Sequence, residues 1–139
     1  MADRIKKVDY FKIQVPNRPG VGAKILGDFK KEKINLLGFS GFPRGGKSQL
    51  DLIPQNTKAF LSTAKRLKVK VGAKKTGFLA QGQDRVGAIA SIMEKLSAAK
   101  INVTAIDAIC AGKGRYGAIF WVKGPNMAKA SKVLKATQL

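Results

Sequence analysis

The sequence contains no histidine, a single cysteine and 8 carboxylates among 139 residues. Without histidine, the commonest general base and the commonest metal ligand are both missing. Cys110 has no partner for an internal disulfide, and the acids are too scattered to form a cluster of ligands. No metal, cofactor or catalytic residue is therefore expected, and the chain is read as not being an enzyme. No apolar run reaches membrane-spanning length, and residues 1–7 lack the apolar core of a signal peptide. A cytoplasmic protein without a membrane partner is the expectation.

Positive charge is abundant, with 27 lysines and arginines giving a formal net charge of +19. Such an excess bears on solubility and on attraction to anionic partners, and says nothing of fold. The cations are spread along the chain instead of forming a basic tail. The dense stretches, residues 30–33 and 65–75, read as solvated helix faces or strand edges.

The strongest pattern is internal. A shift of 67 positions lays Arg18, Gly20, Ala23, Ile25, Lys33, Ile34 and Asn35 on Arg85, Gly87, Ala90, Ile92, Lys100, Ile101 and Asn102 without a gap. Phe11 and Gln14 fall on Phe78 and Gln81, and Lys65 and Leu67 on Lys132 and Leu134, so the match spans almost a whole unit. This is a tandem duplication, with units expected at residues 8–74 and 75–139. Units this small bury little apolar surface alone, so the two are expected to support each other.

Local patterns give the order of elements. Residues 8–15 alternate, with Phe11, Ile13 and Val15 on one side, as in a strand covered on one face. After the Pro16–Gly20 break, Val21, Ile25, Leu26 and Phe29 recur at helical spacing. A strand from Ile34, a turn at Arg44-Gly45-Gly46-Lys47 and a strand over 48–53 make a hairpin. Asn56 then caps a helix burying Phe60, Ala64 and Leu67, and Val69-Lys70-Val71 supplies a fourth strand. The second unit repeats the order, with Ile89, Ile92, Met93 and Leu96 inward on its first helix and Met127, Ala130, Val133 and Leu134 on its second. Its fourth strand is missing or very short. The repeat sets residues 2–8 against 69–75, so the N-terminal segment is expected to fill that edge.

The fold class is thus α+β, two ferredoxin-like βαββαβ units in tandem, with antiparallel sheets and helices on one face, as right-handed crossovers require. The loop before the first helix of each unit is the most informative place. Asn17-Arg18-Pro19-Gly20-Val21 and Asp84-Arg85-Val86-Gly87-Ala88 each bring a polar residue, an arginine and a glycine to a strand-to-helix turn. Free amides at a helix N-terminus attract carboxylates, and glycine admits a ligand close to the backbone. The competing reading is that Asn17 and Asp84 merely cap their helices.

Those loops, with the strand starts Lys33-Ile34-Asn35-Leu36 and Lys100-Ile101-Asn102-Val103, resemble the ACT domain pattern over nearly the entire chain. The resemblance implies a non-catalytic regulatory module that binds an amino acid where two ACT units meet, between the first loop of one and the second strand of its neighbour. Carried over by position, the ligand-binding residues are Asn17, Arg18, Gly20, Val21, Asn35 and Leu36, and Asp84, Arg85, Gly87, Ala88, Asn102 and Val103. A small amino-acid ligand, a homodimer and a regulated enzyme or other protein are the implied partners. The second copy departs from the pattern at Val86, where the first has Pro19.

Two other signals compete. Residues 41–48, Gly-Phe-Pro-Arg-Gly-Gly-Lys-Ser, match the phosphate-binding P-loop expression, yet residues 49–54 alternate and meet a proline, as a strand would and the required helix would not. The alternative function is a basic nucleic-acid-binding protein with an aromatic sheet face. It rests on Tyr116 and Phe120, placed as in RNA-recognition motifs, with Phe78 as companion.

Overall fold

The computed structural model describes residues 3–138. The chain divides into two compact units, one of Asp9–Lys75 and one of Thr76–Leu139 together with residues 1–8. Strand β1 (Arg4–Pro16) contributes to both, its first residues to the latter unit and the rest to the former.

In the unit of Asp9–Lys75, β1 is followed by α1 (Val21–Lys31), β2 (Leu36–Arg44), β3 (Lys47–Pro54) and α2 (Thr57–Arg66). β3 pairs antiparallel with both β1 and β2, in register Phe11↔Leu52 and Phe39↔Leu52. Phe11, Ile13, Val15, Leu50 and Leu52 form one face, on which Phe29 of α1 and Phe60 and Ala64 of α2 close the core. Phe60 stacks on Phe11 and on Phe29 at centroid distances of 5.1 and 5.0 Å, so both helices lie on the same side. Truncating one such ring costs about 3–5 kcal/mol. Asn56 caps α2 as its sequence implies, its Oδ1 accepting from the Ala59 amide at 2.9 Å.

The other unit repeats this plan with β4 (Lys75–Gln83), α3 (Ala88–Ala98), β5 (Val103–Gly112), β6 (Arg115–Val122), α4 (Met127–Leu134) and β7 (Thr137–Gln138). β6 pairs antiparallel with β4 and β5. Its core joins Phe78, Ala80, Ala118 and Phe120 to Ile92, Leu96, Ala130 and Leu134, and Ile5 of the N-terminal segment is buried among them. The start of β1 runs beside β4, and the two-residue β7 pairs with it in parallel through Lys6↔Thr137 and Lys7↔Gln138. The architecture is two tandem ferredoxin-like βαββαβ units.

Two local readings need correction. Val69-Lys70-Val71 forms no ladder strand; Val69 and Val71 pack against the core while the Gly72 amide donates to the Lys12 carbonyl at 2.9 Å. Met93 is 37% exposed, because the buried stripe of α3 runs through Ala88, Ile92 and Leu96 and leaves it at the border. β3 is covered on both faces, since Gln49, Asp51 and Ile53, which alternate with Leu50 and Leu52, are buried too, whereas Gln14 of β1 is exposed between the buried Ile13 and Val15. Gln49 Nε2 donates to both Asp51 oxygens at 3.1 and 3.3 Å. Burial pushes the Asp51 carboxyl above its ordinary value despite that bond and the nearby Lys12, Lys75 and Arg44.

All four helices end alike. Lys33, Lys68, Lys100 and Lys135 follow the helices in the left-handed conformation, with φ of 59°, 58°, 59° and 54°. The amides of Ile34, Val69, Ile101 and Ala136 reach back to the carbonyls of Phe29, Ala64, Leu96 and Ser131 at 2.9 to 3.0 Å, the bond that satisfies a helix's last carbonyls. Glycine is the usual occupant here, because a Cβ at this φ is strained by about 1–2 kcal/mol. Part of that strain is offset by the helix dipole, which favours a cation at this end. Replacing Lys33 and Lys100 by glycine is expected to stabilise the protein by about 0.5–1 kcal/mol per site, read as a raised urea midpoint with unchanged slope. A lowered midpoint would show that the lysines are not strained there.

Candidate functional site

The loop before α1 and the loop before α3 have the same backbone. Gly20 and Gly87 precede the helices with φ of 87° and 83°, and neither helix receives a side-chain cap. A Cβ added at either glycine meets nothing within 4 Å, so glycine is required there by φ and not by crowding. The capping role offered for Asn17 and Asp84 is therefore not what these residues do. Asn17 instead accepts from the Ser48 hydroxyl at 3.0 Å, which ties the loop to β3.

The consequence is electrostatic. In the first turn of α1, Val21 and Lys24 amides return to the Arg18 and Gly20 carbonyls, while those of Gly22 and Ala23 have no acceptor among the described residues. In α3 the Ala88 and Ser91 amides return to Arg85 and Gly87, and those of Ile89 and Ala90 are free in the same sense. Free amides at the positive end of a helix dipole form a ready receptor for a carboxylate.

A cleft opens at each loop. The first, of about 420 Å³, has Arg18, Gly20 and Val21 on one side and Leu67 and Val69, just past α2, on the other. The second, of about 410 Å³, joins Asp84, Arg85, Gly87 and Ala88 to Ile109 and Cys110 of β5 and to Tyr116. Seven of the twelve residues carried over from the resemblance thus line these two clefts, and each cleft lies within its own unit. The walls supplied by Leu67, Val69, Ile109 and Cys110 escaped the sequence reading. The repeat register does not mark them, because Leu67 and Val69 come from the end of α2 whereas Ile109 and Cys110 come from a hairpin strand.

The strand-start residues lie elsewhere. Asn35, Leu36, Asn102 and Val103 follow the C-terminal ends of α1 and α3, and an 11-residue helix puts about 16 Å between its ends. Asn35 Nδ2 donates to Gln55 Oε1 at 2.9 Å, and Asn35 also accepts from the Gln55 amide at 2.9 Å. Leu36 and Val103 are partly buried against their cores, and Asn102 is exposed. Within one unit, then, the loop and strand-start groups do not share a site.

The two clefts differ in charge. Arg85 forms a fork with Asp3, Nη1 to Oδ1 at 3.1 Å and Nη2 to Oδ2 at 3.2 Å, and also donates to the Gln83 carbonyl at 2.9 Å. Arg18 has no such partner among the described residues. Asp3 lies across Gly82, where any side chain would overlap its carboxylate, and beside the ring of Tyr116. Burial alone would raise the Asp3 carboxyl, but Arg85, Tyr116 and Lys95 outweigh it and hold the group below its ordinary value. Burial and the adjacent Asp3 push the Tyr116 phenol up to about 12.

The aromatic platform of the nucleic-acid reading is absent. Phe78 and Phe120 stack on each other at 5.2 Å inside the core and are fully buried, and Tyr116 is 5% exposed. On an antiparallel sheet with helices on one face, these alternate positions point under the helices. The P-loop letters span the β2–β3 hairpin, and the strand Lys47–Pro54 stands where a phosphate-binding helix would have to begin.

No protein-family model matches the sequence, and no curated protein matches it. Solved structures do. Protein BT0572 from Bacteroides thetaiotaomicron superposes with a TM-score of 0.81 at 19% identity, over 94% of this chain and 88% of that one. The ligand-free regulatory subunit of aspartate kinase from Thermus thermophilus gives 0.63 at 12% identity, over 96% and 93%. The allosteric aspartate kinase of Clostridium acetobutylicum gives 0.58 at 17% identity, over 96% of this chain and 33% of the enzyme. The fold is that of a tandem ACT protein. Its neighbours include regulatory modules, and no helix of the described residues is long and apolar enough to cross a membrane.

The Asp3–Arg85 fork sets a pH dependence. A carboxyl with a lowered folded pKa stabilises above its unfolded value near 3.8, and that contribution disappears as pH falls through the folded value. Asp3→Asn is expected to destabilise by about 0.5–1 kcal/mol at neutral pH, a range discounted for the exposure of Arg85. In parallel urea titrations the difference from the parent should shrink as pH falls below 3.8. A difference independent of pH would exclude the ion pair as its source.

Proposed function

We propose that the protein is a non-catalytic regulatory module that senses an amino acid. The observation that carries this reading is the pair of repeat-related clefts, each bordered by a left-handed glycine and the uncapped first turn of a helix. The helix amides bind the ligand carboxylate. In the second cleft Asp84 takes the ammonium, while Ile89 and Ile109 contact the side chain. In the first cleft the free Arg18 adds a cation beside the carboxylate.

Asn35, Leu36, Asn102 and Val103 complete such a site from a neighbouring ACT unit, because about 16 Å of helix separates them from the loop of their own unit. A homodimer supplies that neighbour, and the outer edges of β2 and β5 are open to one. The same fold forms the regulatory subunit of aspartate kinase in Thermus thermophilus, which supports a regulatory role with an enzyme or other protein as the responder. Ligand binding moves the responder only if the ligand prefers one arrangement of the module over another.

Thermal-shift screening against the twenty amino acids tests the reading. One of them, or a small chemically related set, is expected to raise the Tm by several degrees at about a hundredfold excess over Kd. Gly20→Val and Gly87→Val should each weaken that shift, because a branched side chain at positive φ displaces the loop. Failure of all twenty, or full retention of the shift in a double Gly20→Val, Gly87→Val variant that remains folded, would overturn the proposal.

A further inference from the structure

The helices α2 and α4, second in each repeat, carry no acidic residue of their own. Residues 57–75 hold seven cations and no carboxylate, and residues 108–139 hold six cations and none. On α2 and just beyond it, Lys58, Lys65, Lys68 and Lys70 are exposed, as are Lys129, Lys132 and Lys135 on and after α4. Lys65 and Lys68 coincide with Lys132 and Lys135 under the repeat shift. Two acids from other elements meet α2, Glu32 at Arg66 and Asp9 at the Thr57 hydroxyl, while Asp28 is engaged by Lys24 and Asp3 by Arg85. Among the described residues, none of the exposed lysines named on these two faces is in an ion pair.

Lys68 and Lys135 occupy left-handed positions where glycine would relax the backbone. The faces also lack what other anionic partners need. A membrane-seeking helix carries large apolar residues beside its lysines, but Phe60, Ala64, Ala130 and Leu134 are buried in the two cores. Leu61, at 37% exposure, stands alone among the large apolar side chains on these faces. A protein interface would be expected to include aromatic anchors and few lysines, the reverse of what is present. Small outward residues such as Ser62 and Ala128 leave the lysine ammonium groups free to approach a charged backbone.

The geometry points to the solvent faces of α2 and of α4, each within its own unit, as sequence-independent docking sites for the phosphodiester backbone of double-stranded nucleic acid. Lysines on a helix face contact phosphates and release counterions, so affinity falls steeply with salt, and no base-reading side chain is involved. The α2 face borders the first loop cleft, whose wall includes Leu67 and Val69 on either side of Lys68, and neither face rests on the ligand assignment.

The test is fluorescence anisotropy with a labelled DNA duplex of about 20 base pairs, read at about 50 and 200 mM salt. The full chain is expected to bind, with affinity falling at the higher salt. Reversing Lys65, Lys68, Lys132 and Lys135 to glutamate should weaken binding more than about tenfold and flatten the salt dependence by about 0.9 for each lost contact. Lys30→Glu, Lys31→Glu, Lys33→Glu and Lys100→Glu together change the net charge equally and should weaken it less than about threefold. Glutamine at the same four face positions gives a milder variant should the glutamates impair folding, and its affinity should also drop while its Tm is kept. Absence of duplex binding would overturn the proposal. So would equal losses in the face and control variants, which would mean that net charge alone acts, and so would capture by anionic phosphatidylserine vesicles but not by the duplex.

Discussion

Two left-handed glycines, Gly20 and Gly87, set the chemistry of this molecule. A helix that starts after a positive-φ residue cannot take its cap from that residue's side chain, since glycine has none. The first-turn amides are then satisfied by a distant side chain, by solvent or by a ligand. α2 shows the contrast within the same chain: it begins at Asn56, whose side chain closes its first turn. α1 and α3 keep theirs open, and the two clefts lie at those turns. Both open turns follow the first strand of a unit; of the second helices, α2 is capped by Asn56, whereas α4 has no side-chain cap.

The two copies differ in charge at the loops proposed to bind the ligand. Arg18 has no side-chain partner among the described residues, whereas Arg85 is held by Asp3, a residue outside the repeat register of the loop. The second loop also carries Val86, fully exposed, where the first has Pro19. A free guanidinium favours a more anionic ligand, and a neutralised one leaves Asp84 as the dominant nearby charge. The same N-terminal segment that holds Arg85 also places Ile5 in the core and supplies the neighbour for β7. Loop charge and sheet edge in that unit therefore depend on one short stretch of chain.

Much of the fold was legible in the sequence because the same signals occur twice in one register. Helix periodicity, the hairpin turns at residues 44–47 and 111–114, the Asn56 cap and the alternation of Phe11, Ile13 and Val15 are local patterns, and local patterns survive translation into structure. Other features depend on distant partners. The Asp3–Arg85 fork joins residues 82 positions apart, and neither residue type foretells it. Trp121 lies over Gly77, where an added Cβ would come within 2.9 Å of the indole nitrogen, so that glycine is a packing partner and not a turn. Gln49 and Asp51 alternate like solvent-facing residues and are buried nonetheless. For the clefts, glycine, arginine and acid could be named from sequence, but the walls of Val69 and Ile109 required the fold.

The central claim is that the open first turns of α1 and α3 receive a ligand carboxylate. Its most direct test is a ¹⁵N-edited NMR titration with the amino acid that stabilises the protein, following the Gly22, Ala23, Ile89 and Ala90 amides. The account predicts that at least one of these two pairs shifts first and furthest, as a newly formed charge-assisted hydrogen bond requires. Binding that leaves all four amides unmoved while shifting residues remote from both loops would contradict it.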